Sequence, residues 1–67
     1  MERPNDEPEP NIVLRGGPFD GERLHVDYRA PVKREANGRV FIYGPTGEMD
    51  SEYETLLMYA VFSDRLA

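Results

Sequence analysis

Few side chains in this sequence could carry a reaction. It has one histidine, His25, no cysteine, and four serine or threonine hydroxyls, at Thr46, Ser51, Thr55 and Ser63. A hydrolytic triad needs a base in contact with both a nucleophile and an orienting acid. His25 instead lies between Arg23 and Asp27 on the polar side of an alternating segment, which predicts a solvated surface residue. The 13 acidic residues could supply a carboxylate pair for glycosidic chemistry, but no pattern fixes their separation or builds a cleft. Glu48, Asp50, Glu52 and Glu54 alternate in the manner of a calcium loop. That loop also needs a glycine at its sixth position and a bidentate acid at its twelfth, and no glycine follows in this stretch. The expectation is a solvated acidic connection. The glycine-rich stretch Gly16-Gly17-Pro18-Phe19-Asp20-Gly21 lacks the Lys-Ser/Thr exit and following helix of a phosphate-binding loop. It reads as a backbone device: glycines supply unusual φ, Pro18 stiffens the loop, Asp20-Gly21 closes it, and Phe19 is either a core plug or an exposed anchor. The sequence therefore predicts a non-enzyme with no catalytic, cofactor-binding or metal-binding residues.

Charge narrows the partners. The chain carries net −5, with −3 in residues 1–10, −4 in residues 48–54 and +3 in residues 23–39. Holding phosphate backbones at physiological salt needs clustered basic residues, so nucleic acid is not an expected partner even though Arg29, Lys33, Arg34 and Arg39 form a local basic set. An acidic mimic of DNA suits the sign and size, but interspersed arginines break up any phosphate-like track. The longest apolar run, residues 56–62, is far short of the roughly 20 residues that span a bilayer. The N-terminus shows no charged-then-apolar leader pattern. A soluble intracellular chain is the expectation, with no membrane partner.

The elements that must position these residues are short. Residues 1–10 hold Pro4, Pro8 and Pro10 among four acids, and read as a flexible acidic arm. Residues 11–67 make one small domain, a size that folds with little to spare and has no cysteines to staple it. Asn11 to Arg15 is a β-branched run ended by Gly-Gly-Pro, hence a strand. Leu24, Val26 and Tyr28 alternate with Arg23, His25 and Asp27, hence a second strand joined to the first by a wide hairpin loop. Asn37-Gly38 is the signature of a type I′ turn, and a two-residue loop sets Ala36 opposite Arg39, Glu35 opposite Val40, Arg34 opposite Phe41 and Lys33 opposite Ile42. Gly44-Pro45-Thr46-Gly47 reads as a turn. The last segment divides. Ser51 and Glu54 have capping-box spacing, and Tyr53, Leu56, Leu57 and Ala60 share a helical face, which favours a helix over residues 52–64. The richness of residues 53–62 in Tyr, Val, Thr and Phe favours a strand returning to pair with residues 39–43.

The run Ile12-Val13-Leu14-Arg15-Gly16-Gly17-Pro18-Phe19-Asp20-Gly21, an alternating strand after it, and a Tyr43 strand paired with a Tyr59 strand together resemble a group of small uncharacterised actinobacterial and actinobacteriophage proteins with a Gly-Gly-Pro-x-Asp-Gly motif. The likeness spans residues 12–62. It implies an all-β meander and a phage or actinobacterial source, and no activity. It also favours strand over helix for the last segment. The acidic arm and the apolar final segment depart from the group's pattern.

These readings combine into a mainly β fold, a small antiparallel meander of four to five strands, with a C-terminal helix as the alternative to the last strand. The expected core is Ile12, Leu14, Leu24, Val26, Tyr28, Val40, Ile42, Leu57, Tyr59 and Val61. A single sheet has a second face, where Val13, Phe41, Tyr43, Leu56, Met58 and Phe62 would leave apolar surface. Phe19, Phe41, Tyr43, Leu56, Met58 and Phe62 are accordingly the candidate protein-binding residues. The expected function is a non-enzymatic protein-binding module, phage-encoded, that binds and modulates a larger host or virion protein. Alternatives are a virion structural accessory associated with capsid or tail, and the DNA mimic. A homo-oligomer is a further option.

Overall fold

Asn37 and Gly38 both sit at positive φ, 54° and 76°, in the computed structural model, which describes residues 9–27 and 29–67. The turn they form joins two strands of one five-stranded sheet. In chain order the strands are β1 (Ile12–Arg15), β2 (Arg23–Leu24), β3 (Val32–Ala36), β4 (Arg39–Met49) and β5 (Leu57–Leu66). Across the β3–β4 hairpin Ala36 faces Arg39, Glu35 faces Val40, Arg34 faces Phe41, Lys33 faces Ile42 and Val32 faces Tyr43. This is the register that a two-residue I′ loop imposes. Asn37→Ala is expected to cost about 1 kcal/mol, since a Cβ-bearing residue without a local polar group pays for left-handed φ. Asn37→Gly should be nearly neutral, and denaturant melts of the two variants check this.

The sheet order is β2-β1-β5-β4-β3. The fold is mainly β with five strands, as expected, but it is a mixed sheet and not a simple antiparallel meander: β5 inserts between β1 and β4 and runs parallel to β1, with Ile12 opposite Leu57 and Leu14 opposite Tyr59. The reason lies in β1 itself. Ile12, Val13 and Leu14 are all buried, and a strand apolar on successive residues suits the interior of a sheet with neighbours on both sides. β2 is only two residues long and pairs antiparallel on the outer side.

Residues 57–66 form a strand, so the helical alternative gives way. Residues 50–56 are bends and a turn, with no helix, and Asp50, not Ser51, makes the cap-like contacts: its carboxylate accepts from the backbone N–H groups of Glu52 and Tyr53. The turn then closes on itself, with Leu56 N–H donating to the Tyr53 carbonyl and Asp50 N–H donating to the Leu56 carbonyl. Leu57 leaves in β conformation.

The core is Ile12, Leu14, Val32, Tyr43 and Tyr59, with Phe19, Leu24, Val26, Phe41 and Val61 packed against it. Of the expected core residues, Ile12, Leu14 and Tyr59 are central and Leu24, Val26 and Val61 flank them. Tyr28 and most of the acidic arm (residues 1–8) lie outside the described residues. Val40 and Ile42 are only half-buried, because the faces of β4 are the reverse of those expected, and Leu57, at the start of β5, is exposed beside the cleft it lines with Ile12 and Tyr59. A β-bulge causes the reversal. The register shifts at Phe62, placing Val61 opposite Tyr43 and Ser63 opposite Ile42. Phe41 and Tyr43 thereby join Tyr59 and Val61 inside, which buries the larger side chains. Both core phenols are satisfied there: Tyr43 Oη donates to the Gly16 carbonyl at 2.7 Å and Tyr59 Oη to the Ala30 carbonyl at 3.0 Å.

Candidate protein-binding face

The glycine-rich loop is a structural clasp. Gly16, Gly17 and Gly21 adopt φ of 90°, 69° and 92°, and residues Gly17–Phe19 form a single 3-10 turn with Pro18 at its start. Asp20 holds the loop by accepting the Gly16 N–H at 2.8 Å, and Gly21 N–H donates to the Leu14 carbonyl at 2.6 Å. Phe19 is the plug: half-buried, it meets the Phe41 ring edge to face at 6.4 Å between centroids.

On the opposite face of the sheet, Arg15 gathers the acids that follow β4. Its Nε and one Nη donate to the two oxygens of Asp50 at 2.8 and 2.9 Å, and the same Nη reaches Glu52 at 2.8 Å. Asp50 is 3% exposed. The acidic run is therefore only partly the solvated connection that alternation suggested, since Asp50 is an interior ligand of the guanidinium. The hydrogen bonds from Arg15, reinforced by the Tyr53 and Glu52 amides, hold the Asp50 carboxyl well below the usual carboxylate range, despite the opposing cost of burial. Asp50 and Glu52 likewise push the Arg15 guanidinium above its ordinary value. Tyr53 lies under both Arg15 and Arg23, with guanidinium carbons 5.7 and 4.8 Å from its ring centroid. Arg15 is engaged by Asp50 and Glu52 and Arg23 rests on the Tyr53 ring, an arrangement that fits an internal brace between β1 and the turn after β4.

The six candidate contact residues do not form one patch. Tyr43 is 0% exposed and Leu56 is also buried, while Phe19 and Phe41 belong to the core side. Met58 is half-buried, and Phe62 stands out at 66% exposed. The register shows why Phe62 is displayed. As the extra residue of the bulge it turns to the face away from the core, where its ring lies over Gly44 so closely that a Cβ there would come within 2.7 Å of it. Gly44 is thus a seat for the ring. Around it on the same face are Ile42 and Val40, half-buried, and Ser63. Lys33, opposite Ile42, and Arg65, opposite Val40, bring two exposed cations to the rim, with Glu35 beside them. Arg15, Arg34 and Arg39 are engaged by Asp50, Glu22 and Asp64, whereas Lys33 and Arg65 have no ion-pair partner among the described residues. Sequence reading missed both as members of this face. Lys33 was legible from its place opposite Ile42; Arg65 was not, because the bulge resets the alternation of β5.

Two other features compete poorly. His25 is exposed, with Nδ1 3.1 Å from the Glu9 carbonyl. A cleft of about 160 Å³ lies near Ile12, Val26, Pro45, Leu57 and Tyr59, about half the volume at which small-molecule pockets begin. Among the described residues no group of three or more acidic, His or Cys side chains could hold a metal ion, and no helix is long and apolar enough to cross a membrane. Comparison with protein-family models, with curated proteins and with solved structures returns no match to this chain.

Proposed function

We propose that this chain is a non-enzymatic protein-binding module that uses the Phe62 face to occupy a surface on a larger host or virion protein; its resemblance to small actinobacteriophage proteins motivates the phage setting. The observation that carries the reading is Phe62 itself, an aromatic side chain displayed at 66% exposure on a built glycine seat. Exposed aromatics bordered by a polar rim are the usual anchors of protein interfaces. Lys33 and Arg65 at the rim, without an ion-pair partner among the described residues, suit a partner whose contact surface is apolar with acidic groups at its margin. The DNA-mimic reading draws less support, because Arg15, Arg34 and Arg39 neutralise Asp50, Glu52, Glu22 and Asp64 in place.

The test is affinity capture from host lysate with the wild-type chain and with Phe62→Ala. Phe62 lies outside the apolar core cluster and meets the interior at Gly44, so the variant should melt within about 2 °C of wild type. It should retain the captured protein about 30-fold less tightly, the scale of an aromatic anchor. Equal retention by the two chains would overturn the assignment of this face.

A further inference from the structure

We propose that the outer edge of β5, residues 62–66, accepts an extended segment of a partner protein as an added antiparallel strand. The inference rests on the protein-binding reading and names the form the partner takes. β1 pairs with β5 only as far as Ala60, and at Gly16 the chain turns away into the glycine clasp. Beyond that point β5 keeps β4 on one side and has no paired strand on the other among the described residues. Ala67 N–H donates to the Gly38 carbonyl at 2.8 Å, which fixes the phase of the ladder. Arg65 and Ala67 bond towards β4, so the backbone N–H and C=O groups of Asp64 and Leu66 point outward. The Leu66 side chain is 75% exposed.

The other free edges of this sheet are protected in the ways that proteins use to prevent strand addition. β2 has two residues. β3 begins after Pro31 and sets Lys33, Arg34 and Glu35 in a row. The far part of β4 is interrupted by Pro45 and by Gly47 at φ 87°. Among the described residues only this edge combines a regular stretch, residues 63–66, outward hydrogen-bonding groups and apolar side chains at both ends, Phe62 and Leu66.

A second copy is a poor occupant. A two-fold pairing of this edge must be antiparallel and must match outward residues with outward residues. Registers centred on Ser63 or Leu66 overlap only about three residues of this edge, and the two that overlap it most both oppose like charges. Setting Asp64 against Asp64 of the other copy opposes two carboxylates. Setting Asp64 against Leu66 opposes two Arg65 side chains. Like charges directly across a ladder are destabilising. An unrelated strand avoids the conflict by presenting an acid to Arg65 and a cation to Asp64, which already receives Arg39 at 3.2 Å through one of its two oxygens.

The probe is the blocked peptide Val-Glu-Lys-Thr-Ile, which in antiparallel register places Glu opposite Arg65, Lys opposite Asp64 and Ile beside Phe62. Amide NMR of the full chain should show saturable binding on the order of millimolar, with slowed exchange at Asp64 and Leu66. The charge-swapped peptide Val-Lys-Glu-Thr-Ile should bind about fivefold more weakly. Leu66→Pro removes an outward N–H and leaves the bonds of Arg65 and Ala67 to β4 intact, so it should abolish binding with the sheet preserved. N-methylation of the Leu66 nitrogen by chemical synthesis makes the same test without altering the side chain. The proposal is overturned if the β5 amides do not respond to about 10 mM peptide, well above that expected affinity, if binding survives both changes at Leu66, or if rising protein concentration alone protects Asp64 and Leu66. Should capture depend on Phe62 and be indifferent to Leu66→Pro, the protein-binding reading stands and the added strand fails; loss of capture in both variants supports the two together.

Discussion

Gly17→Ala should destabilise the domain by about 2–4 kcal/mol, read as a drop in denaturation midpoint with unchanged slope. Two independent effects add. At φ +69° a Cβ meets the left-handed penalty, and that Cβ would stand 2.7 Å from Tyr43 Oη. Tyr43 is fully buried and its hydroxyl has its acceptor in the Gly16 carbonyl, so it cannot retreat without leaving a polar atom unpaired in the core. Gly38 separates the contributions. It has φ +76° with nothing within 4 Å of where a Cβ would stand, so Gly38→Ala carries the backbone penalty without the collision and should cost only about 1 kcal/mol. The double variant Gly17→Ala with Tyr43→Phe should be less destabilised than the sum of its parts, because removing the hydroxyl removes the collision. Equal costs at Gly17 and Gly38 would refute the clasp between loop and tyrosine. A domain of this size is stable by only about 3–9 kcal/mol in total, so the Gly17 substitution approaches the unfolding limit.

The same loop shows what could be read in advance. Gly-Gly-Pro-Phe-Asp-Gly declared a backbone device because its residue types leave little else for it to be, and Asn37-Gly38 fixed a register residue by residue because turn chemistry is local. What failed to show was decided by pairing between distant segments. Nothing in residues 53–62 says that this strand will run beside β1 in the parallel sense, and a single bulged residue at Phe62 exchanges the faces of β4 relative to β5. That one residue moved Phe41 and Tyr43 from the expected outer surface into the core and left Phe62 outside. Of the six candidate contact residues, Phe62 is the one the register leaves exposed, so the proposed face was legible only in kind, as surplus apolar surface on a thin sheet. Lys33 and Arg65 became visible as its rim only when the register was known. Asp50 was hidden for a related reason: its partner Arg15 lies 35 positions away, and alternating acids look solvated until a cation is brought beneath one of them.

Asp50 also carries the second large effect. Asp50→Ala removes the acceptor of two guanidinium bonds and of the Glu52 and Tyr53 amides, leaving Arg15 with the more exposed Glu52 and Asp20. Breaking a buried pair from one side is costly because the remaining charge and amides lose their partners. The melting temperature should fall by at least about 10 °C, with loss of amide protection concentrated in residues 50–56. Asp50→Asn keeps the shape and one acceptor oxygen, and should fall between wild type and Asp50→Ala. Acid titration supplies a signature that mere loss of packing would not. The folded-state value of Asp50 is depressed, so its contribution is fully present above the ordinary aspartate value near 4 and is lost as pH falls from there towards the folded value, below the usual carboxylate range. Wild-type stability should therefore decline steadily below about pH 4, where the unfolded chain takes up the proton first. Asp50→Asn, with no proton to bind at that position, should show a shallower decline over the same interval. Parallel acid profiles for the two proteins would mean that Arg15 and Asp50 contribute no charge-dependent stability, and that the turn at residues 50–56 is held by its backbone bonds alone.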